Sequence, residues 1–249
     1  MQDSSTLEDS RVLDVTPTEQ MVDIPLGSCG ATTGLLFIPQ YASSIVMLAH
    51  GPGNIKQCSC NRFVARMLHQ MGFATLLLDI TERGECRSDR MVGSFSDMRF
   101  LTKRLIAATS WVAVQRATQH LQIEYVGAGA AAEAAMMAAV KQPGLVGGVV
   151  GRSWRPDLSN IMLSQVLNPT LLIVGGRDTD SARLNREALA LIGAQEKDLE
   201  IVPGATQLFE EPGALEASAV RTGMWFERFK ARPLKGLHVQ RQIPLMNSH

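Results

Sequence analysis

The chain has 249 residues, in which 24 lysine and arginine side chains balance 24 aspartate and glutamate side chains, so its formal net charge is zero. Binding to nucleic acid or to an anionic membrane surface requires an excess of basic side chains on one face, and the balanced charge argues against both. Apolar residues make up 45% of the sequence, which excludes a mostly disordered chain and is enough to bury a core.

Targeting signals and metal motifs are absent from the sequence. No stretch approaches the roughly 18–20 consecutive apolar residues of a membrane-spanning helix. The polar, acidic start lacks the basic and apolar regions of a secretory signal. Four cysteines (Cys29, Cys58, Cys60 and Cys86) are too few for a disulfide framework, and the one C-x-C pair has no second pair at zinc-site spacing. We therefore predict a cytoplasmic protein with no metal site and no cofactor.

Short apolar runs alternate along the chain with stretches of helical spacing. In chain order, the runs predicted as strands are 35–39, 45–49, 73–79, 122–127, 145–150, 170–175 and 199–202. The predicted helices are 61–71, 100–120, 130–140, 181–192 and 212–229, the last opened by Pro212. This alternation is typical of a mostly parallel sheet with helices on both faces.

The same pattern predicts the domain organisation. One domain covers 21–231, an N-terminal arm or antiparallel edge strand covers 1–20, and a tail covers 232–249. Ligands bind open parallel sheets at the carboxyl ends of the strands, so the informative loops follow Ala49, Asp79, Gly127, Gly175 and Val202.

Four of these loops carry recognisable segments. They read HGPGN at 50–54, YVGAGAA at 125–131, PTLLIVGGRD at 169–178 and VPGATQLFEEPGAL at 202–215. Their order and spacing resemble the α/β-hydrolase fold, and more narrowly dienelactone-hydrolase-like proteins. The resemblance implies a single-domain α/β-hydrolase fold whose segments supply, in turn, the H-G loop, the nucleophile elbow, the triad acid and the triad histidine.

The catalytic residues that the resemblance implies are only partly present. The elbow of the family reads G-x-S-x-G, and Gly129 stands at the serine position. Gln207 stands at the histidine position, where an amide cannot accept a proton near neutral pH. Asp178 alone fits the triad, as its acid. Loss of the nucleophile and base costs on the order of 10⁶ in rate, and no acyl-enzyme can form on a glycine.

Other side chains could line the same edge. Ser153 and Cys86 follow neighbouring strands, but neither shows a nucleophile–base pair in the sequence. We expect Asp178 to hydrogen-bond Gln207 or to cap the helix near Ser181.

The carboxyl edge of the sheet could also bind a ligand without catalysing a reaction. His50 leads the H-G loop, and the N–H of Ala130, with one from Gly51 or Gly53, could form an anion-binding pair. Pro52 has no N–H to offer.

Three functions follow from these observations. The first is a pseudoenzyme that binds a small molecule or a protein partner without triad-based ester hydrolysis. The second is an unconventional enzyme of the same fold, a hydrolase, lyase or isomerase that uses Asp178 and the amide pair. The third is an interaction subunit, and self-association into a homo-oligomer stays open.

Overall fold

The computed structural model describes residues 19–50, 59–80, 95–156 and 161–230. Within these ranges, eight strands form one sheet: β1 (Gln20–Pro25), β2 (Ala31–Phe37), β3 (Ser44–His50), β4 (Ala74–Asp79), β5 (Gln122–Ala128), β6 (Val146–Arg152), β7 (Thr170–Gly175) and β8 (Lys197–Val202). The helices are α1 (Ser59–Gln70), α2 (Phe95–Val114), α3 (Ala130–Lys141), α4 (Thr179–Leu191) and α5 (Ala214–Phe229). Short 3-10 helices cover Gly27–Cys29 and Ile161–Gln165.

The sheet has the order β1-β2-β4-β3-β5-β6-β7-β8. β2 pairs antiparallel with both β1 and β4, and the remaining pairs are parallel. β4, which follows β3 in the sequence, pairs with β3 on one side, and β5 pairs with β3 on the other side. β6, β7 and β8 are then added in order beyond β5. The carboxyl ends of β3 and β5 therefore flank the topological switch point, where open α/β sheets form their ligand crevice.

Two hydrophobic clusters cover the two faces of this sheet. Along β3, Met47 packs into the cluster with α2, α3 and α4, whereas its neighbours Val46 and Leu48 pack into the cluster with α1 and α5. All three side chains are buried. A strand that is covered on both faces needs apolar residues at successive positions, which explains the unbroken runs in the sequence.

The predicted fold class is confirmed, and three predicted helix boundaries were wrong, of which the first is the start of α2, at Phe95 rather than near residue 100. α2 ends at Val114 rather than near residue 120, because the hydroxyl of Thr118 donates a hydrogen bond to the Val112 carbonyl and closes the last turn. α5 begins at Ala214 after a left-handed Gly213, so Pro212 lies before the helix and not in its first turn. β1 is an antiparallel edge strand, but at Gln20–Pro25 all of it except Gln20 lies inside the predicted domain, where no strand was predicted from the sequence. Residues 1–18 of the predicted arm and the predicted tail at 232–249 lie outside the described residues.

No helix in the described part of the chain is long and apolar enough to cross a membrane.

Candidate functional site

Gly129 forms a tight turn between β5 and α3. Its backbone has φ 56° and ψ −126°, its N–H donates to the Arg152 carbonyl at 3.0 Å, and its own carbonyl accepts from the N–H of Ala132 at 3.1 Å. A positive φ of this size is a conformation that glycine adopts readily and other residues adopt at a cost. The turn therefore has the sharp strand-to-helix geometry of a nucleophile elbow.

The space above this turn is open. A Cβ atom added to Gly129 would meet no heavy atom within 4 Å. At Gly127, by contrast, an added Cβ would lie 2.4 Å from the Ala131 carbonyl oxygen, so glycine is needed there for α3 to start close to the strand. The elbow thus keeps the backbone that would present a side chain, and only the side chain is missing.

The first N–H groups of α3 point out of the helix at the elbow. Ala130 is the first residue of α3 and is exposed, and the first N–H groups of any helix have no partner within it. They carry the positive end of the helix dipole, which favours a negatively charged or carbonyl oxygen.

The other predicted part of the anion-binding pair lies outside the described residues. Gly51 and Gly53 fall in the gap at 51–58, and of His50 only the backbone is described. His50 ends β3, where Ala49 is paired with Gly127 in β5, so its backbone lies at the same sheet edge as the elbow. The roles predicted for these residues stay predictions.

Asp178 follows β7 and acts as the N-cap of α4. Its carboxylate accepts a hydrogen bond from the Ser181 N–H at 3.1 Å, and its backbone N–H donates to Gly175 at 3.0 Å. Of the two expectations for this side chain, the structure shows the helix cap. The carboxylate lies half-buried at the carboxyl edge of the sheet.

Gln207 lies in the turn after β8, and its side chain is exposed. Its backbone carbonyl accepts a hydrogen bond from the Ser153 hydroxyl at 2.7 Å. The turn is held further by the Arg177 N–H, which donates to Ala205 at 2.9 Å. The backbone at position 207 is therefore fixed from the neighbouring strand ends, although its side chain cannot act as a base.

Glu211, which the sequence analysis did not identify, also stabilises the turn of Gln207. The Glu211 carboxylate accepts a hydrogen bond from the Thr206 N–H at 3.0 Å, and this bond lowers the pKa of Glu211. No local sequence pattern reveals this role of Glu211, because a bond across five residues depends on how the turn folds.

Arg152 is the second residue that sequence reasoning missed. Its side chain is 8% exposed, its guanidinium donates to the Asn61 amide oxygen at 3.4 Å, and it lies over the Phe209 ring at 5.9 Å. Arg152 thus connects the end of β6 to the start of α1 and to the turn of Gln207. Asn61 is 91 positions away in the sequence, so no local pattern could have identified the pair.

Two residues near Gln207 have strained backbones. Ser153 has φ 53° and Phe209 has φ 56°, although neither is glycine. Each costs on the order of 1–3 kcal/mol, and such residues cluster at functional sites. The structure therefore brings Ser153 to the predicted edge, together with Gly129, Asp178 and Gln207. Cys86, the other alternative nucleophile, lies outside the described residues.

Among the residues that the structure describes, no group of three or more His, Cys, Asp or Glu side chains could hold a metal ion.

Two titratable side chains lie at the opposite, amino edge of the sheet, where Glu124 is buried and His69 is half-buried. Burial raises the pKa of Glu124 in β5 to about 8, against opposing hydrogen bonds from Gln122 and the Gly148 backbone. Burial, with the nearby charge of Arg66, lowers the pKa of His69 to about 4. Both groups are therefore uncharged near neutral pH.

The fold and the elbow define the chain as an α/β-hydrolase-fold protein. A dienelactone hydrolase from Anabaena variabilis superposes with a TM-score of 0.79 at 41% identity, over 86% of this chain and 98% of that one. An esterase from Pyrococcus furiosus, at 15% identity and a TM-score of 0.68, covers 92% of this chain and 100% of its own and shares the fold alone. The chain belongs to the dienelactone hydrolase family.

Two curated relatives of this chain are named for phosphoribosyl transfer and not for hydrolysis. Two Mycobacterium tuberculosis proteins, each provisionally named a phosphoribosyl transferase, are 44% identical over 193 residues, which is 78% of this chain and 43% of theirs. This chain therefore spans less than half the length of these relatives. No family model matches the sequence.

Proposed function

We propose that this dienelactone hydrolase family member binds a ligand at its elbow without hydrolysing esters through a triad. The observation that supports the proposal is Gly129, a nucleophile elbow with open space above it and no attacking atom. Exposed Gln207 at the histidine position supports the same conclusion, because its amide cannot remove a proton.

The ligand that fits this edge carries a carbonyl, carboxylate or similar oxygen. The N–H of Ala130, the first residue of α3, donates to that oxygen, and the helix dipole of α3 stabilises its negative charge. The amide of Gln207 offers both a donor and an acceptor to a neighbouring polar group. Every interaction in this arrangement is non-covalent, and the ligand leaves unchanged.

Catalysis through Asp178 is the less favoured alternative. Its carboxylate already accepts the hydrogen bond that caps α4, and using it as a general base would weaken that cap. A cytoplasmic location is part of the proposal and agrees with a cysteine content too low for a disulfide framework.

A protein partner is the second part of the proposal. The long relatives are named for phosphoribosyl transfer, and only 43% of their length matches this hydrolase-fold chain. We infer that a phosphoribosyl transferase unit occupies the rest of those relatives, and that this chain works beside such a unit.

The test restores the missing groups. We expect p-nitrophenyl acetate to hydrolyse at the background rate in the presence of the purified chain. The double variant Gly129→Ser/Gln207→His should raise this hydrolysis rate by on the order of 10³-fold. Gly129→Ala/Gln207→His is the matched control, since it fills the elbow without supplying an oxygen.

Two results would contradict the proposal. Hydrolysis by the unmodified chain that disappears in Asp178→Asn would show a working enzyme. An inactive but folded double variant would show that the elbow does not keep a competent geometry.

A further inference from the structure

Three buried polar atoms lie where α4 packs against the loop that follows β6. They are the indole Nε1 of Trp154, the hydroxyl of Ser181 and the amide oxygen of Asn185, and none of them has a hydrogen-bond partner in the described part of the chain. All three residues are at most 1% exposed. Buried polar atoms in folded proteins are almost always hydrogen-bonded, so three unpaired atoms on neighbouring residues require a partner.

The Asn185 amide joins the three residues. Its nitrogen donates to the Trp154 carbonyl and to the Ser181 carbonyl, each at 2.8 Å. Ser181 and Asn185 are four positions apart in α4, so their side chains share one face of the helix. Because the two carbonyls fix the position of the amide nitrogen, the amide oxygen is fixed as well, and it can only accept.

The three unpaired atoms match the hydrogen-bonding groups of one water molecule. The indole N–H of Trp154 only donates, the amide oxygen of Asn185 only accepts, and the hydroxyl of Ser181 does either. A water molecule accepts from the indole, donates to the amide oxygen and makes its third bond with the hydroxyl. Buried waters make about three such bonds, to groups that otherwise lack partners. We propose that Trp154, Ser181 and Asn185 form a buried binding site for one water molecule.

The chemistry of the three side chains selects a neutral molecule over an ion. None of the three carries a charge, and an ion buried without a charged partner is strongly destabilising. The indole N–H also has no lone pair to offer a cation. Trp154 packs into the apolar cluster that covers this face of the sheet, which separates the site from bulk solvent.

The water site connects two parts of the candidate functional site. Asp178 caps α4 through the N–H of Ser181 at 3.1 Å. Trp154 directly follows Ser153, whose hydroxyl donates to the Gln207 carbonyl at 2.7 Å. A water molecule held between Trp154 and Ser181 therefore links the helix that carries Asp178 to the loop that fixes Gln207.

The first measurement is a crystal structure of the unmodified chain at a resolution that shows ordered water. We expect one peak of electron density within hydrogen-bonding distance of Trp154 Nε1, the Ser181 hydroxyl and the Asn185 amide oxygen. No density at this position, or direct hydrogen bonds among the three atoms, would overturn the inference.

The second measurement is the urea unfolding midpoint of single and double variants. Trp154→Phe and Ser181→Ala each remove one bond to the water. We expect their combined shift to be only about half the sum of the single shifts, because residues in one hydrogen-bond network are energetically coupled.

Trp225→Phe is the matched control for the double variant. Trp225 also has a buried indole N–H without a partner in the described ranges, but it belongs to the apolar cluster on the opposite face of the sheet. Its shift should add in full to that of Ser181→Ala. Additive shifts for both pairs would contradict the shared water. Neither measurement depends on ester hydrolysis or on a ligand at the elbow.

Discussion

At the carboxyl edge of the sheet, two residues other than glycine have a strained backbone, whereas at the amino edge the buried Glu124 and the half-buried His69 are both uncharged near neutral pH. Ser153 and Phe209 have positive φ at the first edge. Glu124 is 1% exposed at the second, and its carboxylate accepts from the Gln122 amide at 2.7 Å. The comparison teaches that two of the three strained non-glycine residues in the described part of the chain, Ser153 and Phe209, lie at the edge where a site is expected, whereas Tyr41 lies at the other edge.

The largest expected effect on stability comes from substituting the glycines of the elbow. We expect Gly127→Ala to cost more than about 3 kcal/mol of unfolding free energy, because its Cβ would lie 2.4 Å from the Ala131 carbonyl oxygen. Gly129→Ala should cost only the backbone strain, about 1–2 kcal/mol, because the space above it is empty. Urea unfolding of both variants measures the difference, and equal costs would mean that the space is not open.

The next effect concerns the buried carboxyl at the amino edge. Glu124 keeps its proton up to about pH 8 in the folded chain but loses it near pH 4.5 when unfolded. Between these pH values the folded state binds more protons, so stability falls as the pH rises, by several kcal/mol over the full interval.

Unfolding curves at a series of pH values test this behaviour. We expect Glu124→Gln to flatten the decline, because an amide has no proton to lose and keeps an oxygen for the Gln122 amide. Glu187→Gln, at an exposed position in α4, is the control and should leave the decline intact. A decline of the same slope in both variants would assign it to other groups.

A smaller effect of opposite sign is expected from His69. Its ring stacks on Phe37 at 3.8 Å and bonds the Thr75 hydroxyl at 2.6 Å. Because its pKa is lowered to about 4, the unfolded state binds more protons between pH 6.5 and 4, and stability falls as the pH drops through this range.

The magnitude for His69 is about 1 kcal/mol, since the half-buried ring is partly screened by solvent. His69→Gln should remove the acid-side loss, and His120→Gln, at an exposed position, should not. Acid-side curves that are the same for the unmodified chain and for His69→Gln would contradict the assignment.

The smallest effect separates strain from hydrogen bonding at Ser153. Ser153→Ala loses the bond to the Gln207 carbonyl and keeps the strained φ, for a cost of about 1 kcal/mol. Ser153→Gly loses the same bond but relieves the strain, so its stability should stay within about 0.5 kcal/mol of the unmodified chain. Thermal unfolding of the pair measures the difference, and an alanine variant as stable as the glycine variant would show that the strain is absent.

The sequence predicts the sheet better than it predicts the site. The strand at 170–175 matches β7, because a doubly covered strand must be continuously apolar. The end of α2 was misplaced, because the Thr118 hydroxyl that closes it comes from a turn with helical composition. Gly129, Asp178 and Gln207 could be placed from the motifs around them. Arg152, by contrast, contacts residues that only the folded chain brings together.

The central claim is that this elbow presents no attacking atom. Its most direct test is the intact mass of the purified chain after incubation with a fluorophosphonate that labels active serine hydrolases. We predict an unchanged mass for the chain and one added phosphonyl group for Gly129→Ser/Gln207→His. A single stoichiometric adduct on Ser153, or on any other side chain at the carboxyl edge of the unmodified chain, would contradict the account.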